Sequence, residues 1–518
     1  MAATVEPSAD AVGALPRAGT TRKQVRGSSL MLFGRLISLA ANFAIQILIV
    51  RYLTKADYGA FAYALSIVAL IQSIVVFGLD RAVTRFVPIY DERDEHAKAF
   101  GTLVMVVGTV ASLSLAAVLV VYGMQTILGS TVVQGDHAAA LVLILIFLAP
   151  LQALDGLQTG LFAVFSRPRA IFVRRYVLAP ALRLAVVLML VLGGAGVKFL
   201  AVGYVVAGAI GVVVYTVILY REFRKLGILE RWSFRDVDFP VREVLAFTVP
   251  LLTSDLVYTV MNTSDAVLLG HYQGATEVGA LRVIGPLAQM NTLVLASFTI
   301  LFTPAAARLF ARADNDGLDE TYWGTAAWIA IVTFPIFALT FSLATPLTTT
   351  LYGARYEASG QYLALLALGY FFQSAVGNNG VTLKVIGLVW YIVWINLFAA
   401  ILNLALNFVL IPHYGALGAA IGTSSTLVLH NLLKQYGLRR AGLSFFKWRY
   451  ARLYLSIALA AGTLLVVQVA ASPSFVIGFV LAALGSLLVL GANRHLLRVG
   501  ETFPELLRFR VARVLVGR

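Results

Sequence analysis

Long apolar stretches alternate with short polar connections along almost the whole chain. Several of them match the bilayer in length, among them residues 30–50, 99–122, 141–165, 244–269 and 450–469. Since roughly 20 apolar residues in a helix span the hydrocarbon core, the pattern predicts about fourteen transmembrane helices. An even number returns both termini to the same side of the membrane. The predicted fold class is therefore an all-α polytopic membrane protein.

The chain also contains an internal repeat at a spacing of about 220 residues, as transporters built from two related halves do. Leu32, Leu36, Asn42, Leu48, Tyr52, Gly59 and Ala60 recur as Leu252, Leu256, Asn262, Leu268, Tyr272, Gly279 and Ala280. Far along the chain, Gly196 and Gly203 recur as Gly415 and Gly422. The repeat predicts two lobes in the same orientation, related by an axis along the membrane normal, with a central cleft between them.

This organisation predicts the boundaries of the structural units. A polar connection with nearly balanced charge follows the first half, and the last two apolar segments have no counterpart there. With about six helices in each lobe, the units are a disordered cytoplasmic tail (1–27), an N-terminal lobe (28–222), a cytoplasmic linker (223–243), a C-terminal lobe (244–438), two appended helices (439–493) and a basic cytoplasmic tail (494–518).

Composition narrows the class of protein. The 518 residues are 60% hydrophobic and 13% charged, with a mean hydropathy of +0.86, which is too apolar for a water-soluble core. The chain has no cysteine, so disulfides, thiolate metal sites and a cysteine nucleophile are excluded. It has no glycine-rich phosphate loop and only scattered histidines, so we expect neither an ATPase nor a metal or other cofactor. No signal-peptide core precedes the first apolar run, and we expect no cleaved signal.

Arginine and lysine concentrate in alternate connections, as the positive-inside rule requires. The exceptions, on the predicted outer side, are Arg51, Lys55, Lys198 and Arg355. The sequence therefore predicts a multi-pass protein of the cytoplasmic (inner) membrane with both termini in the cytoplasm. The net charge of +15 is mostly this orientation signal, with attraction to anionic membrane lipids as a second effect. It is no argument for nucleic acid.

Charged residues inside membrane segments are candidates for function because burying them in the bilayer is costly. The repeat pairs Arg35 with Asp255. Asp255, Asn262 and Asp265 share one face of the seventh predicted helix, and Arg35 and Asn42 share the equivalent face of the first. If both helices face the cleft, Arg35 binds an anionic cargo while Asp255 or Asp265 takes a proton or cation. The alternative is a structural salt bridge between the lobes.

Further polar residues extend the candidate site. Arg183 and Arg282 suit contacts to anionic oxygens, although Arg282 lies close enough to the interface to snorkel. Amides and one more carboxylate are candidates for binding sugar hydroxyls or for ion coupling, with interhelical hydrogen bonds as the alternative: Gln152, Asp155, Gln158, Gln373, Asn378 and Asn379. Two pairs of basic residues are candidates for binding a lipid phosphate at the cytoplasmic mouth, or serve only for orientation: Arg81 with Arg85, and Arg308 with Arg312.

Several short motifs point to a family. They are Asp57-Tyr58-Gly59, Gly78-Leu79-Asp80 followed by Arg85-Phe86-Val87-Pro88, and the stretch from Asn403 with Asn407, Ile411-Pro412, Tyr414-Gly415 and Gly418-Ala419-Ala420. With them, the chain resembles the Wzx-type polysaccharide flippases of the multidrug, oligosaccharidyl-lipid and polysaccharide exporter superfamily over nearly its whole length.

The resemblance implies an inner-membrane flippase, not an enzyme, that moves a polyprenyl-diphosphate-linked oligosaccharide outward by alternating access for surface polysaccharide biosynthesis. Polysaccharide polymerases or glycosyltransferases would be further partners. The family's members often have a cationic cavity, which Arg35, Arg183 and Arg282 fit loosely. Coupling to protons or sodium stays open.

Other functions stay open at this point. A multidrug exporter or a lipid II flippase can use the same fold, but an exporter of cations would present acidic groups to the cleft. A membrane polysaccharide polymerase or glycosyltransferase would need an extended polar loop. The largest predicted outer connection, 122–138, has Asp136 and His137 but no arginine or lysine, which disfavours an enzyme.

Overall fold

The computed structural model describes residues 18–76, 78–124, 136–165, 171–225, 227, 230 and 237–497. Within these ranges the chain folds into helices and turns without a β-strand, so the all-α fold is confirmed. Most of the predicted outer connection 122–138, the first part of the N-terminal tail and nearly all of the basic C-terminal tail lie outside the described residues.

The first half of the chain consists of eight helices in the described part, and a short π-helical segment, Phe172–Leu178, leads into the seventh. The helices are α1 (Ala18–Tyr52), α2 (Lys55–Val76), α3 (Leu79–Glu92), α4 (His96–Gly123), α5 (Asp136–Leu145), α6 (Leu148–Val164), α7 (Ala179–Leu192) and α8 (Val197–Lys225).

The second half continues in the same way, with a second π-helical segment at Ala338–Ser342. Its helices are α9 (Val241–Gln273), α10 (Ala275–Arg282), α11 (Gly285–Gln289), α12 (Leu293–Ala311), α13 (Asn315–Phe337), α14 (Ala344–Tyr352), α15 (Ser359–Ala375), α16 (Asn379–Val385), α17 (Val389–Arg440), α18 (Ala451–Ala471), α19 (Phe475–Ala492) and α20 (Arg494–Leu497).

Ten helices of the described chain are long and apolar enough to cross a membrane. Helix α17 has 52 residues and breaks at Gly415, whose φ of 54° and ψ of −134° are not helical. The repeat pairs this residue with Gly196, which lies in the turn between α7 and α8. The multi-spanning helical architecture is confirmed, and the count of about fourteen spans stays a prediction.

Helix α1 begins at Ala18, inside the segment that composition assigns to a disordered tail. Once a helix is nucleated, each added residue contributes a hydrogen bond at little further cost, so the apolar part of α1 extends toward its polar start. Helix α8 ends at Lys225 and α9 begins at Val241, and the linker boundaries stay a prediction.

One hydrophobic cluster joins the two halves at the end of the molecule that the charge pattern predicts to be outer. It contains Val50 and Tyr63 from the first half with Leu269, Ile284 and Tyr352 from the second, all buried. Two other clusters lie away from this end, one mainly among first-half helices and one within the second half. The halves therefore share a core at the predicted outer end.

The two halves approach each other closely between α2 and α10. A Cβ atom on Gly59 would lie 1.7 Å from the carbonyl oxygen of Ala275, and one on Gly279 would lie 2.6 Å from the carbonyl oxygen of Lys55. Gly59 and Gly279 are partners in the repeat, and so are Lys55 and Ala275. Each half thus makes the same contact to the other, which places a local two-fold axis between these glycines.

Two arginines reinforce the same end. Arg51, at the end of α1, donates from Nε to the carbonyl oxygen of Leu351 at 2.8 Å and from Nη2 to that of Thr350 at 2.5 Å. Arg355 donates in the opposite direction, to the carbonyl oxygens of Val50 and Arg51. Each guanidinium thus binds carbonyls in the last turn of a helix from the other half, where helices leave acceptors unsatisfied. We call these four hydrogen bonds the arginine latch.

The two appended helices pack on the second half. Buried Leu453 and Ile457 of α18 and Ala482 of α19 belong to the second-half cluster. In the segment between α17 and α18, the backbone nitrogen of Ser444 donates to Asp319 of α13 at 3.0 Å. The Lys447 Nζ lies 3.0 Å from the same carboxylate. This ion pair fixes the segment that leads into α18.

Candidate functional site

A cavity of about 940 Å³ lies between α1, α2, α6, the first π-helical segment with α7, α8 and α12. Its charged lining consists of Arg35, Arg174, Arg175, Arg183 and Asp155. Its other polar lining residues are Ser38, Asn42, Gln152, Tyr176, Tyr204 and Ser297. Arg35, Asn42, Gln152, Asp155 and Arg183, which the sequence singles out separately, therefore come together around one space.

One wall of the cavity connects α1 with α7. The Arg183 Nη1 donates to the Asn42 Oδ1 at 3.2 Å, and the Asn42 Nδ2 donates to the backbone oxygen of Ser38 at 2.7 Å. The Arg183 guanidinium also lies 5.8 Å from the ring centroid of Tyr204 on α8. Arg35 is exposed to the cavity two helical turns before Asn42. These contacts orient Arg183 while leaving both guanidinium groups accessible.

The opposite wall contains a buried ion pair. The Arg174 Nη2 lies 2.6 Å from the Asp155 Oδ1, with 8% of the arginine side chain exposed and 32% of the aspartate side chain. The Arg174 Nε donates to the backbone oxygen of Gly211 at 3.2 Å, and its guanidinium stands 5.7 Å from the ring centroid of Tyr215. Helix α8 thus holds Arg174 from behind, and Asp155 faces it from α6.

The charges that line the cavity do not balance. Four guanidinium groups face one carboxylate among the described lining residues. Arginine stays protonated in proteins, and its planar fork binds carboxylate or phosphate oxygens in pairs. The cavity is thus electropositive and chemically suited to an anionic group.

The structure places Arg282 elsewhere. Its Nη2 lies 3.2 Å from the Asp265 Oδ1 and donates to the backbone oxygen of Asn262 at 3.0 Å. All three residues lie on α9 and α10, and none belongs to the lining of the cavity. The pair joins the predicted ion-coupling residue Asp265 to a predicted ligand-binding arginine, and holds α10 against α9.

Breaking this pair is expected to destabilise the protein. Replacing Asp265 by Asn leaves the partly buried Arg282 without its counter-charge, and we expect a loss of about 1 to 3 kcal/mol in unfolding free energy. Thermal unfolding of the purified protein in detergent measures it. The exchanged variant D265R/R282D should recover part of the loss. An unchanged melting temperature in D265N would show that the pair contributes nothing to the fold.

The other predicted amides lie outside the cavity lining. Gln158 is buried and donates to the Thr216 Oγ1 at 2.6 Å, joining α6 to α8. The Asn378 Oδ1 accepts from the Thr299 Oγ1 at 2.5 Å, next to the start of α16. Asn379 donates to the Asn431 Oδ1 at 3.2 Å, and Gln373 is half-buried on α15. For Gln158, Asn378 and Asn379 these contacts are of the interhelical kind considered as the alternative.

Arg85, one of the four basic residues predicted to bind a lipid phosphate, contacts an aromatic ring. Arg85 stands 4.4 Å from the ring centroid of Phe247, a cation–π contact between α3 and the start of α9. Arg81 is exposed on the same helix, and Arg308 and Arg312 are exposed at the end of α12. The lipid-phosphate role of all four stays a prediction.

The backbone of Asp255 lies in α9, but its side chain is outside the described part of the structure, so its confrontation with Arg35 stays a prediction. Among the described residues, no three histidine, aspartate or glutamate side chains group as metal ligands.

Sequence reasoning missed Arg174 and Arg175, which the charge pattern counts among the basic residues of a cytoplasmic connection. Both lie on the π-helical segment and line the cavity. Segments of π-helix are frequent at functional sites because they shift side chains relative to the α-helical register. A signal was present, since apolar residues flank the pair on both sides, from Ile171 to Val173 and from Tyr176 to Ala179.

Comparisons with known proteins agree with this architecture. The family model described as polysaccharide biosynthesis protein matches residues 24–310, and the model described as MatE matches residues 250–409. An uncharacterized membrane protein of Methanocaldococcus jannaschii is 20% identical over 420 residues, covering 77% of this chain and 81% of the relative.

Solved structures show the same fold. The lipid II flippase MurJ in an inward closed conformation superposes with a TM-score of 0.67 at 15% identity, covering 91% of this chain and 99% of that one. An inward-facing multidrug resistance MATE family transporter gives a TM-score of 0.63 at 14% identity, covering 78% and 94%. Because the first family model covers more than half of the sequence, the chain belongs to the polysaccharide biosynthesis protein family, and the superpositions show that it shares the multi-helical membrane fold of these two transporters.

Proposed function

We propose that this protein carries a polyprenyl-diphosphate-linked oligosaccharide across the cytoplasmic membrane for the synthesis of a surface polysaccharide. The observation that carries the proposal is the excess of guanidinium groups in the cavity, with Arg35, Arg174, Arg175 and Arg183 against Asp155. A diphosphate carries its negative charge on oxygens that accept hydrogen bonds from arginine in pairs.

The remaining lining supports a cargo with sugars and a lipid. Asn42, Gln152 and Ser38 can exchange hydrogen bonds with sugar hydroxyls, and Tyr176 and Tyr204 offer aromatic faces. Ile300 and Leu301 of α12 line the same cavity and are largely exposed. An apolar wall beside a cationic pocket lets a lipid tail stay in hydrocarbon while the head group enters the protein. A volume near 940 Å³ is at the upper end for binding pockets.

Transport by alternating access follows from the two-lobed plan. The halves share a core at the predicted outer end, and the start of α9 contacts the first half at the opposite end. Rocking of the halves then exchanges closure of the cavity between the two ends. The arginine latch and the glycine contact belong to the state in which the predicted outer end is closed. Release outward then requires both to separate. Either the gradient of the cargo or an ion gradient supplies the energy. Asp155, Asp255 and Asp265 are the candidates for coupling to an ion gradient.

Cavity charge separates the proposal from a multidrug exporter. An exporter of cationic drugs gains nothing from four arginines in its binding cavity, since like charges repel in a low-dielectric space. A lipid II flippase is harder to separate, since the fold is shared with a protein of that name. Only the cargo distinguishes the two.

Complementation of two bacterial strains tests the proposal. One strain lacks an oligosaccharide-lipid flippase and the other is depleted of its lipid II flippase, and both receive the wild-type gene. We expect surface polysaccharide to return in the first strain while the second fails to grow. Rescue of only the second strain would overturn the proposal in favour of the lipid II alternative.

The arginines are tested in the same first strain. Arg35→Ala removes one solvated charge from the cargo site, which is worth about 1 kcal/mol, so we expect polysaccharide export to fall about fivefold at equal membrane abundance. Arg439→Ala is the matched control, because Arg439 is exposed at the end of α17 and outside the cavity lining. Full export with Arg35→Ala would remove Arg35 from the cargo site.

A further inference from the structure

Asp155 stands out in the cavity because it is the one carboxylate among the described lining residues and contacts the most buried arginine there. Its side chain is about one-third exposed, whereas that of Arg174 is almost fully buried. The aspartate therefore reaches the guanidinium from the cavity side. An anionic group that enters the cavity meets Arg174 at the position that Asp155 already occupies.

The remaining contacts of Arg174 are not made from the cavity. Its Nε is bound by the backbone oxygen of Gly211, and Tyr215 lies beside its guanidinium, both on α8. A Cβ atom on Gly211 would lie 2.3 Å from the Arg174 Nη2, so the glycine is what lets the guanidinium pack against α8. Arg174 therefore stays in place when its counter-ion changes.

The ion pair itself is close but poorly aligned. The Asp155 Oδ1 lies 2.6 Å from the Arg174 Nη2, yet among the described residues the same oxygen has no partner in hydrogen-bond geometry. A bidentate, well-aligned pair between arginine and an anion is stronger than a single misaligned contact. A phosphate that binds Arg174 together with Arg175 can thus compete with the aspartate.

We propose that Asp155 is a built-in competitor of the anionic cargo for Arg174, and that it sets how tightly the cavity holds a phosphate group and how readily it releases it. This inference rests on the proposed function of the cavity. In the empty cavity Asp155 compensates the buried charge of Arg174. When the cargo enters, its phosphate replaces the carboxylate, and on release the carboxylate returns.

The expected sign of the effect separates this role from a structural one. Asp155→Asn removes the competing charge, so we expect purified protein to bind inorganic pyrophosphate about tenfold more tightly, a difference of about 1.4 kcal/mol, in isothermal titration calorimetry. Polysaccharide export in the complemented strain should fall, because release becomes slow. Asp155→Glu keeps the competing charge, so it should bind pyrophosphate more weakly than Asp155→Asn does.

A matched control is available in the second half. Asp319→Asn breaks a similarly buried aspartate–cation pair, to Lys447, far from the cavity lining. It should lower the melting temperature without tightening pyrophosphate binding. Unchanged or weaker binding of pyrophosphate by Asp155→Asn, or no binding by either protein, would overturn the inference.

The two proposals fail in different ways. If wild type restores polysaccharide but Asp155→Asn does not bind pyrophosphate more tightly, the function stands and the competitor role is wrong. If Asp155→Asn binds pyrophosphate more tightly but no strain is complemented, the cavity is an anion site with an aspartate competitor and the proposed cargo is wrong.

Discussion

Gly59→Ala is expected to reduce export about a hundredfold. The added methyl group would lie 1.7 Å from the carbonyl oxygen of Ala275. No side-chain rotation relieves this clash, because the backbone of α2 fixes the position of the Cβ and the oxygen is itself a backbone atom. Overpacking of this kind costs about 3 kcal/mol, which disfavours the state closed at the predicted outer end and so interrupts the cycle. Polysaccharide export in the complemented strain measures the loss.

The control is a second glycine inside a helix. In the part of the chain that the structure describes, no atom lies within 4 Å of a Cβ position on Gly108 of α4, so Gly108→Ala adds its methyl group without a clash there. Alanine is the better helix former, and export should be unchanged. Normal export with Gly59→Ala would show that the two halves can separate at this contact without effect on transport.

The double variant R51A/R355A is expected to open the predicted outer end. It removes the four hydrogen bonds of the arginine latch. Partly exposed hydrogen bonds contribute about 0.5 kcal/mol each, so the ratio of closed to open protein should fall about thirtyfold. The chain has no cysteine, so a single Ser297→Cys substitution in the cavity reports access. We expect labelling by a membrane-impermeant maleimide in intact cells to rise.

Lys198→Ala serves as the comparison for the latch. Lys198 is an exposed base at the same predicted outer end and takes no part in the four hydrogen bonds. Its loss should leave labelling at the wild-type level. If R51A/R355A labels no faster than K198A from outside, the latch does not hold this end closed; faster labelling only in inside-out vesicles would reverse the predicted orientation.

The sequence predicts the fold and part of the site for identifiable physical reasons. The length of the apolar runs requires helices in a bilayer, and an isolated charge within such a run, as at Arg35 and Arg183, marks a cavity because lipid does not tolerate it. Residues in the middle of an apolar run are thus predictable. Both arginines line the cavity together with Asn42, Gln152 and Asp155.

The remainder of the site depends on tertiary packing, which the pattern of hydrophobic and polar residues along the sequence does not determine. Arg174 and Arg175 come shortly after a basic connection, so the positive-inside rule assigns them to the cytoplasm. The rule cannot recognise that they lie on a π-helical segment, which directs their side chains into the cavity. The pairing of Asp265 with Arg282 likewise depends on the angle between α9 and α10. Local spacing places Asp265 on one face of α9, but it does not show which helix packs against that face.

The family motifs have a structural explanation that the sequence alone does not provide. Gly59 lies in the contact between the halves, and the Gln46 Nε2 donates both to the Tyr58 oxygen at 3.3 Å and to the backbone oxygen of Val283 in the second half at 3.1 Å. Gly78 adopts a left-handed conformation before α3, and Gly415 breaks α17. These residues control how helices bend and meet. They identify the fold, and they are separate from the residues that line the cavity.

The reciprocal contact of Gly59 with Gly279 also bears on how the chain originated. In a dimer with an isologous interface, a residue on the axis meets its own copy. A half-length ancestor with one glycine at this position would form the same contact by associating with a second molecule of itself. Fusion of the two genes then fixes the stoichiometry at one to one and lets each copy evolve separately. In this account Arg35 and Asp255 would have diverged to opposite charges, whereas the glycines on the axis would have kept the identity that the ancestral interface requires.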